Sequence, residues 1–283
     1  MSLRRRLLRF IEEDLGWGDI TSELLIPEDI EGVGIVRAKE PGVMCGGDEA
    51  RELVELMDLS VKILKEDGQV FDKDETLLEL RGKVRKILAV ERVLLNLLAH
   101  MCGVATLTRR IVERVRSVNP SVKVAATRKT LPGLRFFEKK AVRVGGGDTH
   151  RYDLSGMVLI KDNHISVLGD VKSAVEKAKT SASFAVKVEV EVSTVKAAID
   201  GARAGADVLM LDNMSVSEIR EVIKTLETVG LRERVLLEAS GRITEENVVD
   251  YAATGVDIIS IGEITHSAKS IDMSLDVKLM VRD

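Results

Sequence analysis

AVKVEVEV, residues Ala185–Val192, is the stretch on which the fold turns. Its valines favour an extended chain, and side chains two apart on a strand share a face, so Glu189 and Glu191 point to one side of an otherwise apolar run. A carboxylate pair facing a sheet interior is costly unless cations or a metal balance it, and this pair is therefore expected to be functional. Short apolar runs recur on either side: VKVAA (Val122–Ala126), MVLI (Met157–Ile160), DVLML (Asp207–Leu211), RVLLE (Arg234–Glu238) and VDIIS (Val256–Ser260). Between them lie DVKSAVEKA, TVKAAIDGARA, SVSEIREVIKTL and TEENVVDYAATG, helical patterns opened by Ser, Thr or Asp. Strands alternating with capped helices predict an α/β unit built on a parallel sheet.

The chemistry sits where these runs end. Thr127-Arg128-Lys129 follows the first, Lys161-Asp162-Asn163-His164 the second, Asp212-Asn213 the fourth, Ser240-Gly241 the fifth, and Gly262-Glu263 the last. One charge past a strand is ordinarily a solvated turn residue. Polar or glycine residues at the end of every strand converge on one rim of a βα barrel, where such folds place their active sites and where the last loops bind phosphate through backbone N–H groups. Between Arg128 and Arg151 the chain holds Arg128, Lys129, Arg135, Lys139, Lys140, Arg143 and Arg151 against Glu138 and Asp148, with Gly145-Gly146-Gly147 inside it. That segment predicts a polyanionic ligand. Glu191 and Asp212, at the ends of different strands, are placed to hold a divalent cation, Mg2+, that bridges to a pyrophosphate.

Other candidates carry less. His100 lies among leucines on a long helical stretch (about Ala89–Val115) and reads as a packing or capping residue. Cys102 has no evident base, which argues against a thiol nucleophile. His150 and His164 serve equally well as phosphate donors or as structural groups, and His266 in a THS turn reads as a cap. Toward the N-terminus, Leu3, Leu7, Leu8 and Ile11 predict an amphipathic helix ending near Gly16 and Gly18. From Gly32 to Leu80 short alternating runs, broken by a helical stretch at Ala50–Met57, predict a small antiparallel α+β unit.

The bulk numbers set limits. The chain's 283 residues, 45% hydrophobic, suffice for one large core and a smaller one. A net charge of -4 argues against general nucleic-acid or acidic-membrane binding, so any basic site is local. No export signal or uninterrupted membrane-length apolar run is evident, and Cys45 and Cys102, far apart in sequence, suggest neither zinc nor a disulfide framework; a soluble, cytoplasmic protein is expected. The 31% charged residues, with Gln69 the sole glutamine, resemble the composition of heat-adapted proteins.

GDITSELL (Gly18–Leu25), ERVLLNLLAHMCGVAT (Glu91–Thr106), ATRKTLPGLR (Ala126–Arg135), EKKAVRVGGGDTHRYDLSGMVLIKDNH (Glu138–His164), VEVEV (Val188–Val192), LDNM (Leu211–Met214), EASGRIT (Glu238–Thr244) and VDIISIGEITHSAKSIDMSL (Val256–Leu275) together resemble the quinolinate phosphoribosyltransferase family. The match runs in order along nearly the whole chain, and the TRKT and HRYDL…KDNH blocks are its most specific parts. The resemblance implies an N-terminal α/β open sandwich domain (1–106), rejoined by the C-terminal tail (268–283), and an open (β/α) barrel (107–267) of the type II phosphoribosyltransferase kind. It implies a homodimer or an assembly of dimers in which the sandwich of one subunit closes the barrel mouth of its neighbour.

By the same resemblance Arg128, Arg151 and Lys161, with Arg92 from the neighbouring subunit, hold the two carboxylates of quinolinate. Lys129, Lys139 and His150 add positive or donor character beside them. Glu191 and Asp212 face the ribose and Mg2+ of phosphoribosyl pyrophosphate, while Ser240, Gly241 and Gly262 take its 5'-phosphate; Glu191, Asp212 and Lys161 are the implied catalytic groups. Three residues depart from the family's usual pattern: Cys102 stands where Ser is frequent, Lys140 where an aromatic residue is, and Arg242 where a second glycine is. The alternatives are a nicotinate salvage enzyme, a relative linked to molybdenum-transport operons, and a sensing or scaffold protein on a degenerate barrel. A nicotinate enzyme needs cations for one carboxylate only, and a degenerate barrel predicts loss of Glu191 or Asp212, both of which are present.

Overall fold

A computed structural model describes residues 2–280; residue 1 and residues 281–283, the end of the expected tail, lie outside it. The chain divides into two compact units, Met1–Leu107 with Ala268–Asp283, and Thr108–Ser267.

The first unit opens with α1 (Leu3–Leu15), whose Leu7 and Ile11 are buried as the spacing predicts. Ser2 caps it by accepting from the Arg5 N–H. A second short helix, α2 (Ile20–Leu25), was not anticipated; Asp19 supplies its cap by accepting from Ser22. Four strands follow, β1 (Glu31–Ala38), β2 (Gly42–Val43), β3 (Ser60–Ile63) and β4 (Val70–Phe71), with α3 (Gly47–Leu56) between β2 and β3. β5 (Thr76–Lys83) leads directly into α4 (Val84–Val118), longer at both ends than the apolar periodicity suggests. By length and composition α4 is apolar enough to cross a membrane, but 61% of its most apolar window is buried inside the protein, as in a core helix.

The second unit carries β6 (Lys123–Ala126), α5 (Arg135–Val144), β7 (Val158–Ile160), α6 (Asp162–Leu168), α7 (Val171–Ser181), β8 (Val188–Val192), α8 (Val195–Arg203), β9 (Val208–Asp212), α9 (Val216–Thr228), β10 (Leu236–Ser240), α10 (Val248–Ala252), β11 (Ile258–Ile261) and α11 (Glu263–His266). The chain then returns to the first unit as β12 (Met273–Leu279), which pairs antiparallel with β1 and completes the sheet β12-β1-β5-β3. β8 begins three residues later than the valine run suggests, because Ala185 and Val186 belong to a turn in which Val186 bonds back to Ser183. Asp170, Thr194 and Ser215 cap α7, α8 and α9 as their sequences indicate. Thr244 does not cap α10; its N–H goes to the Asn247 side chain and the helix starts later.

The six strands run in the order β6-β11-β10-β9-β8-β7, and the pairings between them are parallel. β6 and β7 are the two edges, so the barrel stays open. The register sets side chains in layers: Glu191, Met210 and Glu238 stand level on β8, β9 and β10, with Asp212 and Ser240 level one step nearer the C-terminal ends. Glu189 occupies the layer beneath, level with Val208 and Leu236.

Gly103 explains how a helix can lie against the returning tail. A Cβ at this position would collide with the Lys269 carbonyl oxygen and stand 3.1 Å from the Ser270 Cα. Helix propensity alone favours alanine over glycine by about 1 kcal/mol, but backbone contact reverses the sign. Gly103→Ala is therefore expected to destabilise the fold by about 3 kcal/mol, measured by urea unfolding; a stabilised variant would show that the tail does not pack this closely.

Candidate active site

The C-terminal ends of β6–β11 surround a cavity of about 590 Å3. Arg128, Lys129, His150, Arg151, Lys161, Glu191, Asp212, Ser240 and Gly241 all line it, residues separated by more than a hundred positions in the chain. A smaller cavity of about 300 Å3 is bounded by Lys129, Ser240, Gly241, Arg242, Gly262 and His266. Two of the expected residues line neither. Arg92 is an exposed side chain on α4 in the first unit. Lys139, on α5, is buried, with its ammonium bonded to the backbone carbonyls of Thr149 and, at 3.5 Å, Arg151. Burial, reinforced by the Arg135 charge, lowers Lys139 to about 8. Its place in the fold is to grip the loop that carries His150 and Arg151.

The cationic side of the main cavity is under electrostatic strain. Burial and the neighbouring Arg128 guanidinium lower the pKa of Arg151, as expected when like charges crowd together away from water. Arg128 Nε is buried without a hydrogen-bond partner. Buried donors are nearly always satisfied, so this one is available to an anion entering the cavity. Lys161 Nζ donates to Glu191 Oε1 at 2.7 Å, which sets one cation at the boundary between the basic and acidic sides. Its backbone is held by His164, whose Nδ1 accepts from the Lys161 N–H at 2.9 Å; His164 thus caps α6. On the acidic side Asp212 Oδ2 accepts from Asn213 Nδ2 at 2.9 Å.

Beneath the rim lies a group that sequence reading only half identified. Glu189 is fully buried, and so is Glu238, which was read as the end of a strand and not as a site residue. His150 Nε2 lies 3.0 Å from Glu238 Oε2 and 3.4 Å from Glu189 Oε2. Burial pushes the imidazole down, but hydrogen bonds and charge from both carboxylates outweigh it and raise His150 to about 10; burial raises Glu189 to about 7 despite the imidazole. The Arg151 backbone N–H donates to His150 Nδ1 at 2.7 Å, so that nitrogen is an acceptor and bears no proton. That bond keeps a proton off Nδ1, so the pull of the two carboxylates falls on the hydrogen at Nε2. Both ring nitrogens thus have partners within the protein, and the ring also lines the main cavity, where a donor role is expected of it. The signal for Glu238 was present: it is an acidic residue inside an apolar run, as Glu189 is.

Cys102 is buried and raised to about 12 by that burial, which keeps the thiol protonated. It lies against Cys45, whose N–H donates to Cys102 Sγ at 3.3 Å, so the two cysteines meet in the fold despite their sequence separation.

Backbone strain gathers at the rim. Among the non-glycine residues with left-handed φ, His150 (52°), Asn213 (55°) and Arg242 (46°) line the main cavity. At Gly241 (φ 90°) a Cβ would run into the Asn213 side chain, so only glycine fits. Arg242 has no such protection and holds a conformation that suits glycine, with its carbonyl accepting from Asn247 Nδ2 at 3.1 Å. Arg242→Gly is expected to relieve about 1 kcal/mol of strain and raise the melting temperature by roughly 2–4 °C. A lower melting temperature would mean that the arginine side chain supports the fold.

The comparisons with known proteins agree with this geometry. The quinolinate phosphoribosyl transferase N-terminal domain model matches residues 19–102, and the corresponding C-terminal domain model matches residues 104–276. A probable nicotinate-nucleotide pyrophosphorylase (carboxylating) of Methanothermobacter thermautotrophicus is 45% identical over 278 residues, covering 98% of this chain and 99% of that one. Its namesake from Archaeoglobus fulgidus is 47% identical, over 92% of this chain and 98% of its own. The crystal structure of NadC from Streptococcus pyogenes superposes with a TM-score of 0.92 at 36% identity, covering 99% of this chain and 97% of the other. With both domain models matched in order and relatives similar over nearly their full lengths, the chain belongs to the quinolinate phosphoribosyl transferase family.

Proposed function

We propose that this enzyme joins quinolinate to phosphoribosyl pyrophosphate, yielding nicotinate mononucleotide, pyrophosphate and carbon dioxide in NAD biosynthesis. The observation that carries the reading is the set of four cations lining one cavity, Arg128, Lys129, Arg151 and Lys161, of which only Lys161 is bonded to one of the acidic groups there, Glu191. One carboxylate does not call for that many cations; a pyridine with two adjacent carboxylates does.

Arg128 and Arg151 hold the acceptor's carboxylates, and Lys161 sits where acceptor and donor meet. The pyridine nitrogen attacks the anomeric carbon of the ribose as the bond to pyrophosphate breaks. Positive charge that develops on the sugar is stabilised by the carboxylates of Glu191 and Asp212. The new bond leaves the ring nitrogen cationic; the electron pair of the ring-to-carboxylate bond remains on the ring carbon as carbon dioxide leaves, and a proton takes its place. Ser240, Gly241 and Gly262, with Lys129 beside them, form the smaller cavity and suit the 5'-phosphate. Arg242 lines both cavities and adds a cation there.

Glu191 and Asp212 supply the hard oxygen ligands that suit Mg2+, which keeps most of its shell as water and substrate phosphate. When bound there it neutralises charge on the departing pyrophosphate. The test of the reaction is direct: quinolinate, phosphoribosyl pyrophosphate and Mg2+ are expected to give nicotinate mononucleotide with equimolar carbon dioxide. Turnover of nicotinate with none of quinolinate would overturn the assignment.

The working unit in this reading is a homodimer in the cytoplasm, each site completed by the neighbour's Arg92. Each unit carries exposed apolar side chains that suit such an interface: Trp17, Ile20, Leu24 and Leu25 in the first, and Leu154, Val167 and Phe184 in the second. Arg92→Ala and Arg128→Ala subunits should each be inactive as homodimers. Mixed and reassociated, they should regain about one quarter of wild-type activity, because half the dimers then carry one intact site of two. A mixture that stays inactive would place Arg92 in its own subunit's site or outside any site.

A further inference from the structure

The pair Glu189 and Glu238 takes no part in the chemistry above, yet both are fully buried, and both oxygens of Glu189 and Oε1 of Glu238 lack hydrogen-bond partners. Two carboxylates out of water around one imidazole is an arrangement a fold does not keep for stability alone. The three donors lie close enough together, within 4.8 Å, to suggest a metal site. The ring's own bonds argue otherwise: with Nδ1 accepting from the Arg151 N–H, the hydrogen is on Nε2, and no lone pair remains there for an ion.

The same bonds trace a mechanical connection. Glu238 on β10 receives Nε2–H, Glu189 on β8 stands beside it with Oε2 3.4 Å from Nε2, and the opposite edge of the ring receives the backbone N–H of Arg151. His150 is held in the left-handed region with its own N–H donated to Asp148 Oδ1 at 2.8 Å, and Lys139 grips the carbonyls on either side of it. We propose that Glu189 and Glu238 are positioning residues of the acceptor site, acting through His150 as a strut to fix Arg151 opposite the carboxylates of quinolinate. The inference rests on the reading of the cavity as a quinolinate site. His150 and Glu238 also line the cavity, and the two buried carboxylates contribute to acceptor recognition by holding the imidazole that holds Arg151.

The experiment measures KM for each substrate and kcat in Glu238→Leu, Glu238→Gln, Arg151→Ala and the Glu238→Leu/Arg151→Ala double variant. Removing the acceptor in Glu238→Leu should raise KM for quinolinate by about tenfold or more and KM for phosphoribosyl pyrophosphate by less than about twofold. Glu238→Gln retains an oxygen for Nε2–H and should recover most of the loss. The double variant should be no worse than Arg151→Ala, since one acts through the other. Equal rises in both KM values, no recovery with glutamine, or additive losses would each overturn the proposal. Should Glu238→Leu fail to fold, Glu189→Gln decides it by the same split between the two KM values, with its melting temperature as a control. Wild-type turnover of quinolinate separates the two levels: without it the substrate reading fails, whereas with it and an unaffected Glu238→Leu only the strut fails.

Discussion

Removing a carboxylate from water costs several kcal/mol unless something nearby compensates, and the interior of the second unit does this at Glu138 and, side by side, at Glu189 and Glu238. Much of what surrounds the site is compensation. The imidazole of His150 is drawn between Glu189 and Glu238, which requires the 149–151 segment to pass close by. Closeness demands a left-handed backbone at His150 and an anchor for the carbonyls that turn inward, which the buried Lys139 supplies. Burial lowers that lysine to about 8, and the charges of Asp148 and Glu138 oppose the effect. Local costs are therefore linked, and the segment they define presents Arg151 to the cavity.

The parallel register makes this possible. Alternation along β8, β9 and β10 stacks Glu189 beneath Glu191, Met210 beneath Asp212, and Glu238 beneath Ser240. Met210 and Glu238 line the cavity together with Glu191, Asp212 and Ser240, and Glu189 lies beneath them. A slip of one residue in any of these strands would exchange its inward-facing and outward-facing side chains, turning valines and leucines toward the cavity and carboxylates toward the helices. The layer that does chemistry is thus specified by the same pattern that closes the core.

Much of this was legible in the sequence because it depends on short-range regularities. The βα alternation gave the parallel unit, and period two put Glu189 and Glu191 on one face. Boundaries moved where a turn competed with β-branched residues, as at Ala185 and Val186, and α2 escaped notice because six residues with one capping aspartate make too short a pattern. Lys139 illustrates a different limit. A lysine in a basic segment looks like a ligand contact, but α5 is buried over a wide arc, and Lys139 lies at its edge beside Val142. Helical geometry, not composition, separates it from Arg128. The bond from Arg151 N–H to His150 Nδ1 was illegible altogether, since no sequence pattern specifies a left-handed residue at a histidine.

What remains is a site balanced against itself before any ligand arrives. Arg128 crowds Arg151, and an Arg128 donor is buried without a partner, while the nearest acidic charge that engages a basic group across the cavity, Glu191, is already bonded to Lys161. An anion entering between the guanidiniums relieves repulsion and supplies the missing acceptor together, so its binding free energy includes strain released in the protein as well as new contacts formed. Such a ligand stabilises the folded state by more than its hydrogen bonds alone suggest. The same crowding works against an acceptor with one carboxylate, which would leave part of the repulsion standing. In the proposed reading, selectivity for a second carboxylate follows from how the cavity is charged, with the strut keeping Arg151 from relaxing away.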